Sequence, residues 1–153
     1  MEIIEVKSNP DYEIARGLFL EYAREIEIDL SFQDFDVEIG QLSEQYGCPD
    51  GVILLIEYEG GIAGCIGLRK FRNGEGEIKR LFIRERFRGK GLGKILVSEI
   101  LNRARQLNYK CLKLDTLPNM IPAIELYKSF GFVETKPYRY NPIEGAVFME
   151  LKL

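Results

Sequence analysis

The residues best suited to chemistry form a glycine-rich loop at 88–93, with the sequence RGKGLG. Glycine takes every second position there, so the backbone can approach a ligand without a Cβ in the way. Lys90 and Lys94 accompany the loop, and a long amphipathic segment follows it. Free backbone N–H groups and the positive end of a helix would therefore meet at one point. The pattern predicts a site for a pyrophosphate-like anion, with a solvated basic turn as the alternative.

This loop belongs to a basic segment of an otherwise acidic chain. Residues 77–94 contain seven Lys or Arg and two Glu, a net charge of about +5, while the whole chain is formally −3. Cations concentrated in one strand and one loop do not form a nucleic-acid-binding face, so we expect no nucleic-acid partner. The spacing also excludes a P-loop, because Ile95 stands where that motif needs Ser or Thr after Lys94.

The chain of 153 residues contains no histidine. That excludes Ser-His-Asp and Cys-His nucleophilic catalysis and His-ligated zinc. Proton transfer must use a carboxylate, Tyr, Lys, Cys or water. Three cysteines without a C-x-x-C pair indicate neither a disulfide framework nor a zinc knuckle, and we interpret them as reduced packing residues. They are Cys48, Cys65 and Cys111.

Hydrophobic periodicity predicts one domain over 1–153, with the order β-α-α-β-β-β-α-β-α-β. Strands are expected at 2–6, 52–58, 62–69, 76–83, 110–116 and 146–153, and helices after Ser8, at 34–46, 91–106 and 122–130. Strands that meander first and later alternate with helices predict an α/β (α+β) fold with a mixed, mostly antiparallel sheet. The apolar runs are too short for a membrane span, so we expect a cytoplasmic protein with no membrane partner.

These features resemble the GNAT superfamily of acyl-CoA N-acyltransferases over about residues 52–153. The family's central motif, [QR]-x-x-G-x-[GA], falls on residues 88–93 between a strand and a long helix. A second motif, A-x-x-L-Y-x-x-x-G-F, falls on residues 123–132, with Leu126 and Tyr127 at its centre. The two motifs occur in the family's order, separated by a helix and a strand.

The resemblance implies that the cofactor is acetyl-CoA (coenzyme A). The sheet is expected to splay between its fourth and fifth strands, so that the pantetheine arm meets the backbone of Phe82 and Ile83. The loop is expected to hold the pyrophosphate. The residues assigned to it are Arg88, Gly89, Lys90, Gly91, Leu92, Gly93 and Lys94. Family members often carry Asn where this chain has Met120, so Asn119 is expected to supply that contact instead.

The resemblance also assigns two catalytic residues. Glu77 is the candidate base that takes a proton from the amine, and pairing with Lys79 or Arg69 is its alternative role. Tyr127 is the candidate acid that protonates the leaving thiolate, since a phenol and a thiolate have similar basicity. Core packing is the alternative for Tyr127. A backbone N–H near Ile83 is expected to stabilise the oxyanion.

Arg69, Lys79 and Tyr138 are the candidate acceptor-binding residues. Cations near the site hint at an acceptor that bears a carboxylate or phosphate. Strand alternation places Lys79 on the face of Glu77 and Arg80 on the opposite face, so Arg69, Lys79 and Arg80 are not expected to reach one pocket together. Tyr138 begins a Tyr-rich loop that forms either a pocket rim or a plain surface loop.

The expected function is transfer of an acetyl group to a primary amine of a small molecule, by direct transfer in a ternary complex. Two alternatives stay open: a catalytically silent acyl-CoA-binding regulatory module, and a protein or peptide N-acetyltransferase. A homodimer is a further option that the sequence leaves open.

Overall fold

The computed structural model describes all of residues 1–153 as a seven-stranded sheet with helices on both faces. The strands are Glu2–Glu5, Val52–Tyr58, Gly61–Arg72, Glu75–Ile83, Cys111–Thr116, Val133–Glu134 and Val147–Lys152, numbered β1 to β7. The helices are Asn9–Ile26, Phe35–Gly40, Leu42–Tyr46, Leu92–Gln106 and Ile121–Ser129, numbered α1 to α5. The sheet order is β1-β2-β3-β4-β5-β7-β6, and only β4 and β5 pair in parallel. This confirms the predicted mixed, mostly antiparallel fold.

The N-terminal helices differ from the prediction in one place. Ser8 caps α1 as expected, because its hydroxyl accepts a hydrogen bond from the backbone N–H of Asp11 at 3.3 Å. The single helix predicted over 34–46 is instead two short helices, α2 and α3. They are divided at Gln41, whose φ of −134° is not helical. A two-residue strand, β6, was missed because it is too short to show alternation.

Strand alternation divides the core between the two faces of the sheet. Leu54 and Ile56 of β2 pack beneath α4 and α5 in a cluster of 20 buried residues. Ile53 and Leu55, the intervening residues, pack with α1, α2 and α3 in a second cluster of 12. Each buried Leu or Ile side chain contributes about 1.5–3 kcal/mol through apolar burial. The central strands are therefore buried on both faces, which holds them rigid beneath the loops that follow.

The β4–β5 pair opens as predicted. Its registered contacts cover only Glu75 to Glu77 against Cys111 to Lys113. Beyond Glu77 the two strands diverge, although β4 continues to Ile83 and β5 to Thr116. The backbone of β4 therefore has a free edge that faces a gap in the sheet.

Two smaller findings complete the fold. Cys65 is buried and Cys111 is half-buried, but Cys48 is exposed, so the packing interpretation was wrong for Cys48. None of the helices has the length and apolarity that crossing a membrane requires.

Candidate active site

The glycine-rich loop has the backbone shape that its sequence predicts. Gly89 and Gly91 have φ angles of 78° and 77°, a left-handed conformation that glycine adopts without strain. Gly91 is also the N-cap of α4, and no side chain caps that helix. The first backbone N–H groups of α4 are therefore available to an anion.

The cations of the basic segment divide into two groups. Arg84 donates to the carboxylate of Glu21 and to the carbonyl of Ile62, and Arg88 donates to Glu25, so both are engaged with the protein. Lys90 and Lys94 make no ion pair, and Lys94 lines the cleft beside the glycines. Arg86 is exposed and also makes no ion pair, so the two lysines and Arg86 are the charges left to meet a phosphate.

The free edge of β4 continues from this loop into the sheet. The N–H of Arg84 donates to the carbonyl of Ala63 in β3 at 2.8 Å. Backbone groups alternate along a strand, so those of Phe82 also face β3, while those of Leu81 and Ile83 face the gap. Sequence reasoning had named Phe82 and Ile83 and missed Leu81. The ring of Phe82 still lines the outer end of the gap, opposite Asn119.

Tyr127 lies on α5 at the inner end of the same gap. Its ring is buried and packs edge-on against Phe132, with 5.5 Å between ring centroids. Burial raises the pKa of the phenol above its ordinary value, and the nearby Tyr22 raises it further by a smaller amount. The hydroxyl therefore keeps its proton through neutral and alkaline pH.

Tyr127 lines a small, partly open space, here called the inner cavity. It has a volume of about 40 Å³. The upper wall is largely apolar, with Leu81 at the free edge of β4, and the floor is polar. The residues of the floor are Gln33, Lys79, Arg80, Asp115 and Asn141.

A β-bulge places two adjacent cations on this floor. Phe82 pairs with Cys65 and Lys79 with Gly67, so Arg80 and Leu81 together oppose the single residue Ile66. Arg80 has a φ of 61° at the bulge, which breaks the alternation of the strand.

The prediction that Arg80 points away from Lys79 was therefore wrong. Lys79 Nζ and Arg80 Nη1 both donate to Gln33 Oε1, at 3.0 and 2.9 Å. Arg69 joins them in one network, since its guanidinium lies 3.6 Å from Glu38 Oε1, which also binds Arg80.

Glu77 is fully buried at the edge of this network. Its Oε1 accepts hydrogen bonds from Arg69 at 3.1 Å and from Arg139 at 2.8 Å, and its Oε2 accepts from the Tyr138 hydroxyl at 2.8 Å. The pairing with Arg69 matches the alternative that the sequence left open. Both carboxylate oxygens are occupied, so an ammonium can reach Glu77 directly only by displacing a donor.

Tyr138 is likewise held inside the protein. Its ring packs against Phe71 and Phe148, and burial followed by Glu77 raises the pKa of its hydroxyl. Arg69 and Glu77 line a separate cleft with Arg139, whereas Lys79 and Tyr127 line the inner cavity. The structure therefore does not bring Glu77 and Tyr127 into one pocket.

Sequence reasoning missed five residues of the polar network, among them Arg139, which donates to Glu77 Oε1 at 2.8 Å. Glu38 and Asp115 balance the cations, and Gln33 and Asn141 both donate to Asp115 Oδ2, at 3.3 and 3.1 Å. Asp115 could have been recognised from the sequence, because it is the only carboxylate in the predicted strand 110–116, which was expected to border the gap. Gln33 and Glu38 lie in short helical turns where no motif marks a functional side chain.

Comparison with known proteins agrees with this geometry. The family model for the acetyltransferase (GNAT) family matches residues 18–132. An uncharacterised N-acetyltransferase of Schizosaccharomyces pombe is 41% identical over 156 residues, covering 100% of this chain and 95% of that protein. A spermine/spermidine N(1)-acetyltransferase of Bacillus subtilis is 38% identical over 84 residues, 49% of this chain and 55% of that protein.

Solved structures share the whole fold. An acetyltransferase from Streptococcus agalactiae superposes with a TM-score of 0.79 at 23% identity, covering 99% of this chain and 98% of that one. A GNAT family acetyltransferase from Elizabethkingia anophelis, solved with acetyl-CoA bound, gives a TM-score of 0.62 at 23% identity, over 77% of this chain and 82% of that one. With its two motifs, its splayed sheet and a match along most of its length, this chain belongs to the GNAT family of acetyltransferases.

Proposed function

We propose that this protein transfers an acetyl group from acetyl-CoA to the primary amine of a small molecule, by direct transfer while both are bound. The observation that carries the proposal is that Leu81, at the free edge of β4, and Tyr127 line the same inner cavity. A backbone edge that can hold a thioester and a phenol that can protonate its sulfur therefore face the same small cavity.

The residues present fit acetyl-CoA. The left-handed glycines and the uncapped start of α4 offer N–H groups to a pyrophosphate, and Lys90 and Lys94 add charge. The gap between β4 and β5 suits the extended pantetheine arm, which would pair as a strand does with the backbone of Leu81 and the N–H of Ile83. The Ile83 carbonyl already accepts from Arg88 Nε. Asn119 lies on the opposite side of this gap and is the proposed side-chain contact.

The chemistry follows from these positions. When bound, acetyl-CoA supplies the acetyl carbonyl: a C–N bond to the amine forms as the C–S bond breaks, and sulfur leaves as a thiolate. Tyr127 donates its proton to that thiolate, and the backbone N–H groups at the free edge of β4 stabilise the negative charge that develops on the carbonyl oxygen.

The amine must also lose a proton, and Glu77 is the proposed acceptor of that proton. Glu77 does not line the inner cavity but a neighbouring cleft with Arg69 and Arg139. Because Arg69, Arg139 and Tyr138 also donate to its two oxygens, the proton must be relayed to Glu77 by water from outside that cavity, or must be transferred after displacement of Tyr138. The size of the inner cavity favours a small acceptor over a folded protein surface, since about 40 Å³ holds only about three water molecules.

The test is a broad panel of amines and amino acids incubated with acetyl-CoA, with free-thiol release and product mass as readouts. Acetylation of at least one small amine supports the proposal. Thermal stabilisation by acetyl-CoA with no transfer to any member would instead favour the silent regulatory module. Transfer to peptide N-termini or lysines alone would favour a protein or peptide N-acetyltransferase.

A further inference from the structure

Two cations converge on one neutral oxygen at the floor of the inner cavity. Lys79 Nζ and Arg80 Nη1 donate to Gln33 Oε1 at 3.0 and 2.9 Å. An amide oxygen is a weak partner for two charged donors, because charge-assisted bonds to a carboxylate are about twice as strong as neutral ones. The site is therefore better matched to an anion than to the side chain that occupies it.

The other end of the same carboxamide meets a carboxylate. Gln33 Nε2 donates to Asp115 Oδ2 at 3.3 Å. One short polar group thus presents an acceptor to two cations and a donor to an anion. An amino acid has the same arrangement, with a carboxylate in place of the amide oxygen and an ammonium in place of the amide nitrogen.

The net charge of the polar network also favours a bound anion. The network contains four cations and three carboxylates, so its net charge is +1, although each cation lies within 3.7 Å of a carboxylate. These residues are Arg69, Lys79, Arg80 and Arg139, against Glu38, Glu77 and Asp115. Lys79 has the weakest pairing, since its Nζ lies 3.7 Å from Asp115 Oδ1, whereas Arg80 binds Glu38 at 2.8 Å. A net charge among buried groups is costly, and a bound anion beside Lys79 would offset it.

Gln33, like Asn141, lies outside the sheet. It ends a three-residue 3-10 turn, Ser31–Gln33, whereas Lys79 and Arg80 lie on the central strand β4. Room for about three waters is too little for an amino acid, so the acceptor must take the place of a side chain.

We propose that the acceptor is a small amino acid whose carboxylate replaces the Gln33 oxygen between Lys79 and Arg80. Its amine then lies between Asp115 and the free edge of β4 at Leu81. The inner cavity, of about 40 Å³, leaves little room for a chain of carbon atoms between amine and carboxylate even when Gln33 moves aside. An α- or β-amino acid therefore fits better than a longer ω-amino acid. This inference rests on the acetyl transfer proposed above.

The experiment compares matched acceptors that differ only in the carboxylate. Each α-amino acid and β-alanine is assayed beside its amide and its decarboxylated amine, with the corresponding aminophosphonate and spermidine as further arms. We expect kcat/KM for a free amino acid to exceed that of its amide by at least about 10²-fold, because the amide would leave the two buried cations without an anionic partner. Equal rates for the amide, or a preference for the phosphonate or spermidine, would overturn the proposal and leave acetyl transfer intact. No transfer to any acceptor would overturn both.

A variant pair tests the residues. Lys79→Met should raise KM for the preferred amino acid at least tenfold and reduce its advantage over the amide, with acetyl-CoA affinity unchanged. Lys70 is an exposed lysine of β3 that makes no ion pair, and Lys70→Met should change neither the KM for the amino acid nor its advantage over the amide. If Lys79→Met leaves the preference for the free amino acid over its amide intact, Lys79 does not bind the acceptor carboxylate and the proposed site is wrong.

Discussion

Arg88 donates through Nη2 to both carboxylate oxygens of Glu25, each at 2.6 Å, and through Nε to the carbonyl of Ile83 at 2.8 Å. One side chain thereby joins the glycine-rich loop to the end of β4 and to α1. The first residue of the loop motif thus holds the loop in place, and its guanidinium is turned toward α1. The N-terminal helix, which borders the proposed acceptor side, is coupled in this way to the proposed phosphate site.

This coupling predicts a modest effect on cofactor affinity when Glu25 is changed to Gln. The ion pair is about half exposed, and such pairs contribute up to about 1 kcal/mol, so Kd for acetyl-CoA should rise up to about fivefold. A double-mutant cycle with Arg88→Ala, measured by calorimetry, should show the two effects to be non-additive. Glu99→Gln, which removes a pair on the outer face of α4, is the control. Strict additivity would mean that Glu25 and Arg88 act independently.

Gly91→Glu is expected to abolish acetyl-CoA binding, because a carboxylate would occupy the proposed pyrophosphate position at the start of α4. Gly74→Glu is a matched control. Gly74 has a φ of 75° against 77° for Gly91, and no atom lies closer than 3.9 Å to a Cβ built at either position. Gly74 precedes β4, at the opposite end of that strand from the loop. If both variants bind acetyl-CoA equally well, the loop is not the phosphate site.

Much of this fold could be predicted because its signals are local. Strand-like segments separated by glycine-containing turns identified β2, β3 and β4, the cap at Ser8 identified the start of α1, and glycines marked the loop before α4. The opening between β4 and β5 could not be predicted from a local pattern. It followed from resemblance to a family, since no pattern within a single strand specifies how far it pairs with a neighbour.

The polar floor of the cavity could not be predicted from the sequence, and Arg80 shows why. Period-two alternation assigns Lys79 and Arg80 to opposite faces, and only the bulge opposite Ile66 brings them together. A bulge depends on the pairing of two strands, and the residue that adopts positive φ here is an arginine, which gives no glycine-like signal. Gln33 is separated from Arg80 by 47 residues, so its contact depends on the tertiary fold.

Tyr127→Phe should lower kcat by roughly 10²-fold or more with little change in acetyl-CoA affinity, as expected when a general acid is lost. Burial keeps the phenol protonated, so wild-type turnover should show no loss of this acid up to at least about pH 10, the ordinary pKa of tyrosine. Tyr12→Phe removes a hydroxyl from α1 near Gly47 and should leave kcat unchanged. Unaltered turnover in Tyr127→Phe would assign Tyr127 to packing alone.

Glu77→Gln separates the two roles open to that residue. Loss of the charge leaves Arg69 and Arg139 facing a neutral amide, and removing one partner of a buried pair costs about 3 kcal/mol or more. A structural role therefore predicts a lower free energy of unfolding in urea, with the acidic limb of the pH–rate profile retained. A base predicts that this limb disappears. Unchanged stability together with loss of the acidic limb of the pH–rate profile would show that Glu77 is catalytic and not structural.

Lys79 should make the stability of the protein depend on pH in the alkaline range. Burial, followed by the charge of Arg80, lowers the pKa of Lys79 to about 8 in the folded state, whereas an ordinary lysine titrates near 10.5. Between about pH 8 and 10.5 the unfolded chain therefore binds a proton that the folded protein has lost, and folding becomes more favourable as pH rises. The difference in free energy of unfolding between wild type and Lys79→Met should change across that window by up to about 3 kcal/mol in favour of the wild type, because a tenfold change in proton concentration corresponds to about 1.4 kcal/mol. Parallel urea titrations of the two proteins from pH 7 to 10.5 measure it, and a constant difference throughout would show that Lys79 titrates as an ordinary lysine.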